Sequence, residues 1–134
     1  MNTTDDTNDL EKQEPLFQLS DYQELVNHDA KLMIIFIENF ISTLRKNLAL
    51  MTEAVKRTKY EVIEKLANTL SAFVIIIKID SVLPFLDEMK ELAQSKEGIK
   101  RITFLNTQLH YICWEVIDKL EEEVKKLEGD HPSP

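Results

Sequence analysis

Few side chains in this 134-residue chain could do chemistry. There are three histidines, His28, His110 and His131, and one cysteine, Cys113. An imidazole near neutral pH can serve as base or nucleophile, and a thiolate can attack or bind a metal. The spacing supports neither role. No His-x-x-x-His or Cys-x-x-Cys pair occurs, so no metal site is expected. With only two glycines there is no glycine-rich loop to cradle phosphate. Ser71 has a hydroxyl but no base at helical spacing, and Glu61 and Glu64 make no better case as an acid–base pair than any solvated carboxylates. His28 falls between helical segments and His131 in the tail. Only His110 lies in a helical pattern, Leu109-His110-Tyr111-Ile112-Cys113, on the flank of an apolar stripe beside Trp114 and Ile117. It reads as a boundary histidine packed on an aromatic ring. The expectation is a protein without catalytic residues, cofactor or metal.

The elements that carry these residues are helical. Sheet proteins of this size need many tight turns, and two glycines and four prolines supply few. Ser20 opens Ser-Asp-Tyr-Gln, a capping-box pattern, and predicts a short helix to about Asn27. Asp29 caps a long helix over about 30–57, with Met33, Ile37, Phe40, Leu44, Leu48, Met51 and Val55 on one face. Thr58 opens a second capping box, Thr-Lys-Tyr-Glu, and a third helix to about Lys78. Asp80 or Ser81 caps a fourth to about Gln94, with Pro84 tolerated in its first turn. Gly98 precedes a fifth helix to about Glu128, with a core stripe of Ile102, Leu105, Leu109, Ile112, Val116, Leu120, Val124 and Leu127. Short connections make sequential helices antiparallel, so the expected fold is all-α: an up-and-down four-helix bundle with a short extra N-terminal helix. Residues 1–15 read as a disordered acidic leader, 16–128 as the bundle and 129–134 as a disordered tail.

Composition bounds the partners. Sixteen Lys and Arg face 24 Asp and Glu, a net charge of -8, which disfavours nucleic acid and anionic membrane surfaces. The longest apolar runs, Met33 to Ile37 and Ala72 to Ile77, are too short to cross a bilayer. A single cysteine and a polar, acidic start suit a reducing compartment and predict a cytoplasmic protein.

Two stretches, Leu19 to Asp29 (Leu-Ser-Asp-Tyr-Gln-Glu-Leu-Val-Asn-His-Asp) and Phe36 to Phe40 (Phe-Ile-Glu-Asn-Phe), resemble the opening of the histidine phosphotransfer (HPt) domains of bacterial two-component phosphorelays. In that family a later helix carries Ala-His-x-Leu-Lys-Gly/Pro-Ser, with a glycine ten residues after the histidine. The matching stretch here is Ala67-Asn68-Thr69-Leu70-Ser71-Ala72-Phe73, with Lys78 at the glycine position. Asn68 thus stands where the resemblance puts the phospho-accepting histidine, and Ser71 where it puts the lysine. An amide nitrogen delocalised into its carbonyl is no nucleophile. The resemblance therefore implies a pseudo-HPt signalling module that docks on response-regulator receiver domains without accepting phosphate.

Taking Asn68 as reference on the third helix, Ile63, Leu66, Leu70, Phe73 and Ile77 fall on the opposite, core side. The near side holds Glu61, Glu64, Lys65, Asn68, Ser71, Ala72, Ile75 and Ile79. With Lys78 these make the expected partner-binding face, flanked by Ile76. The leading helix or the leader could instead cover Ile75 and Ile79. The alternative function is a structural or interaction bundle, such as a homodimer closed over the Asn68 face, with no receiver partner.

Overall fold

The computed structural model describes residues 15–129. Most of the expected leader and the tail beyond Gly129 lie outside them. The described chain is all-α, with no strand. Its elements are α1 (Ser20–Leu25), α2 (Ala30–Lys56), α3 (Tyr60–Val74), α4 (Leu83–Gln94) and α5 (Ile99–Gly129). Two single-turn 3-10 segments, Ile75–Ile77 and Asp80–Val82, join α3 to α4.

The helices form a bundle in which α2 packs against α3 and α5, and α4 packs against the same two. Each of these four helices therefore has two neighbours, and their apolar stripes meet inside. Met33, Ile37, Leu44, Leu48 and Met51 from α2 are buried there. So are Ile63, Leu70 and Val74 from α3, Leu86 and Met89 from α4, and Ile102, Leu105, Leu109 and Leu120 from α5. A fully buried side chain of this size contributes about 1.5–3 kcal/mol by leaving water. Leu66, Phe73, Ile112 and Leu127, expected in the core, are half-buried and pack against its edge. Phe73 stacks on Phe40 of α2 with ring centroids 4.1 Å apart, and Tyr22 of α1 stacks on Phe36 at 3.8 Å, which fixes α1 against α2.

Only one expected side-chain cap forms. Asp29 accepts a hydrogen bond from the Leu32 amide at 3.1 Å and starts α2. The other starts differ. Ser20 is the first residue inside α1, whose N-cap is Leu19, and no side chain caps it. Asp80 and Ser81 lie in the 3-10 turn, and α4 begins after Val82, again without a side-chain cap, with Pro84 in its first turn. Thr58 does not open α3, because it is used to close α2. It adopts a left-handed backbone (φ 53), its amide donates to the Val55 carbonyl, and the Lys59 amide donates to the Ala54 carbonyl. This paired bonding satisfies the last carbonyls of a helix and needs one left-handed residue, ordinarily glycine. The same arrangement closes α1 at Asn27, the Ile75–Ile77 turn at Lys78 and α4 at Lys96, all with positive φ. These four stops are thus made without glycine, and Gly98 (φ 80) serves the connection into α5, which itself ends at Gly129.

Candidate docking face on the third helix

Helix α3 turns Ala67 and Leu70 inward, both fully buried, and Asn68 and Thr69 outward. Glu61, Lys65, Asn68, Ala72 and Ile75 are exposed and share the outward face, while Glu64 and Ser71 are half-buried at its margin. The carboxylates are held by α4 and the residues after it. Gln94 Nε2 donates to Glu64 at 2.9 Å, and Lys96 Nζ stands 4.0 Å from Glu61. Glu61 and Glu64 are thus surface groups with their own partners, not a pair converging on a reactive atom.

Ile79 is a correction to the expected face. It is fully buried. Helical spacing from Asn68 carries an outward position to Ile79 only if α3 continues that far. It ends at Val74, tightens through Ile75–Ile77 and reverses at Lys78 (φ 58), and the reversal swings Ile79 into the core. Ile75 and Ile76 stay outside, 55% and 50% exposed.

Lys78 is exposed but engaged, with Nζ 3.3 Å from Asp21 of α1. The segment before α1 also reaches this end of α3, where the Gln18 amide donates to the Ile77 carbonyl at 2.7 Å. The described residues before α1 therefore reach the end of α3, and among the described residues the middle of the face, around Asn68 and Ala72, is exposed.

The remaining reactive side chains lie elsewhere. His28 is exposed with a left-handed backbone after α1, and His131 is outside the described residues. His110 is half-buried on α5, facing α2, with Nε2 2.8 Å from Thr52 Oγ1. Its hydrogen-bond partner is a hydroxyl, and Trp114, one turn on, is 44% exposed beneath the Arg45 guanidinium (5.6 Å). Cys113 is buried, and loss of solvent pushes its thiol pKa up to about 12, so it stays protonated and inert at neutral pH. Among the described residues no group of three His, Cys, Asp or Glu side chains is placed to hold a metal ion, and no helix is long and apolar enough to cross a membrane.

Two features escaped sequence reasoning. One is the buried Asn106, whose Nδ2 donates to Thr52 Oγ1 at 3.3 Å. The four-residue interval to His110 marks it as a neighbour on the same face. The other is a row of exposed aromatics on α5, Phe104, Tyr111 and Trp114. Its signal was a second periodicity on a helix already explained by its core stripe. No family model, curated protein or solved structure matches this chain.

Proposed function

We propose that the chain is a non-catalytic docking module of the HPt type: an up-and-down antiparallel four-helix bundle that presents the Asn68 face of α3 to a response-regulator receiver domain and does not take its phosphate. The observation that carries this reading is the setting of two positions ten residues apart. Asn68 stands exposed in mid-helix above buried Ala67 and Leu70, where the family's pattern puts its histidine. Lys78, where the pattern has glycine, has a positive φ of 58, the backbone that glycine adopts without strain. The pattern thus fits both the outward face and the helix stop, although the residues at those two points have changed.

The face suits docking better than chemistry. It grades from charged (Glu61, Lys65) through amide and small side chains (Asn68, Ala72) to exposed apolar (Ile75, Ile76). Flat surfaces of this kind bury their apolar end on a partner and leave the charged end at the rim. Asn68 can donate and accept hydrogen bonds there but has no nucleophilic nitrogen. A module bound in this way would occupy a receiver and withhold it from a true phosphotransfer partner.

The test is an NMR titration of isotopically labelled protein with receiver domains from the same genome, with and without a phosphate mimic. Shifts clustered on Lys65, Asn68, Ala72 and Ile75 are expected, with no phosphoryl mass added after exposure to a phosphorylated receiver. Shifts confined to other faces, or none with any receiver, would refute the docking reading. A stable added phosphoryl group would refute the non-catalytic one.

A further inference from the structure

Helix α5 has two working faces. One is the core stripe. On the other, Lys100, Phe104, Thr107, Tyr111, Trp114 and Asp118 recur at alternating intervals of four and three residues, and all six are exposed. Phe104 is 51%, Tyr111 78% and Trp114 44% exposed. An alternating four–three spacing is the seam along which one helix packs on another. Single exposed apolar side chains are ordinary, but three aromatics in register on one helix are not, and aromatic residues are enriched where surfaces associate.

The seam is prepared for burial. Thr107 returns its hydroxyl to the Thr103 carbonyl at 3.1 Å, and Thr103 returns its own to Ile99 at 2.8 Å, so neither brings an unpaired donor to the contact. Arg101 lies 5.3 Å from the Phe104 ring and Arg45 5.6 Å from that of Trp114, at the edges of the row. Arg101 is also held by two hydrogen bonds to Glu88, at 2.6 and 2.9 Å, which keep it off the seam itself.

Charge identifies the occupant. From Ile99 to Trp114 the only formally charged side chains on α5 are Lys100 and Arg101. From Glu115 to Gly129 there are six carboxylates and three lysines. A helix that is basic at its start and acidic at its end is complementary to its own reverse. We propose that a second copy of this chain packs its α5 antiparallel on this face, about a two-fold axis near Tyr111. That register sets Tyr111 against its symmetry mate and brings each Lys100 to the partner copy's acidic end, at the position of Glu122. A parallel pairing would stack the acidic halves on one another. Closed two-fold pairing, with one patch serving both sides, is the commonest form of self-association. The surface lies on α5, whose neighbours are α2 and α4, so the Asn68 face of α3 remains free in the pair. This inference does not depend on the receiver reading.

The test is the mass of the full chain by sedimentation equilibrium over a wide concentration range. The wild type should approach twice 15.6 kDa. The double variant Phe104→Ser, Tyr111→Ser should weaken the pair by about tenfold or more while keeping its circular-dichroism melt. Lys100→Glu alone and Glu122→Lys alone should each weaken it by roughly fivefold, since each places like charges together twice. An equimolar mixture of these two single variants should restore association, because the mixed pair regains both opposite-charge contacts. A 15.6 kDa mass at every concentration, a pair indifferent to the aromatic double variant, or a mixture no tighter than its components would overturn the proposal.

Discussion

Nε2 of His110 on α5 lies 2.8 Å from Oγ1 of Thr52 on α2, and Asn106, one turn earlier on α5, donates to the same hydroxyl at 3.3 Å. This polar contact links the two longest helices at one register, and the exposed Arg45–Glu121 ion pair (3.1 Å) links them again toward the other end. Burial lowers the His110 pKa from its ordinary value of 6.5, opposed by the Leu48 carbonyl. The unfolded chain therefore takes up the proton first. The stability this site contributes is present above about pH 6.5 and is lost as pH falls through the folded-state value. Thermal melts should drop on acidification below that point, and His110→Gln should remove part of the drop. An NMR titration that placed His110 at or above the ordinary imidazole range would contradict this account.

Thr58 and Lys96 occupy left-handed positions at the ends of α2 and α4, with φ 53 at each. A side chain in that conformation costs roughly 1–2 kcal/mol, most for a β-branched residue such as threonine. Thr58→Gly should raise stability by about 1 kcal/mol in urea denaturation, and Lys96→Gly should do so by slightly less, because glycine's freedom in the unfolded chain offsets part of the relief. At Gly98 (φ 80) the sign reverses. A Cβ there would meet Leu92 Cδ2 at 2.9 Å, so Gly98→Ala should destabilise. No gain from Thr58→Gly would show that the turn is not strained.

Leu70 and Asn68 stand on opposite faces of α3, one fully buried and one exposed. Leu70→Ala should cost about 2–5 kcal/mol by leaving a cavity. Asn68→Ala should stay within about 0.5 kcal/mol. Denaturant midpoints for the two variants check the register of the helix that carries the proposed docking face. Equal losses would mean that Asn68 is not a surface residue.

Cys113 is buried among the core residues of α5, and its thiol pKa is pushed up to about 12 from an ordinary 9.0. Because the unfolded thiol ionises first, the stability tied to this group is complete below about pH 9 and is lost as pH rises toward about 12. Alkylation of the native protein at neutral pH should be slow and should track global unfolding, whereas in urea it should be fast. Rapid labelling of the folded chain would show that the site opens locally.

Much of the fold was legible in the sequence, because apolar residues every three or four positions dictate helices and the face each one buries. Asp29 was legible as a cap for the same local reason, since its carboxylate needs only the amide three residues on. Thr58 was not, because its pattern suits either the start of α3 or the end of α2, and the pairing of Lys59 with Ala54 decides between them. Ile79 was misplaced because helical spacing presumes a continuing helix, and the left-handed turn at Lys78 exists only where α3 meets the leading segment and α4. The outward setting of Asn68 followed from periodicity alone. The meeting of Thr52 with Asn106 and His110, and the burial of one face of α5 while its aromatic row stays outside, belong to the packing of helices far apart in the chain. Periodicity places each residue on a face, but only tertiary contact decides which faces are covered.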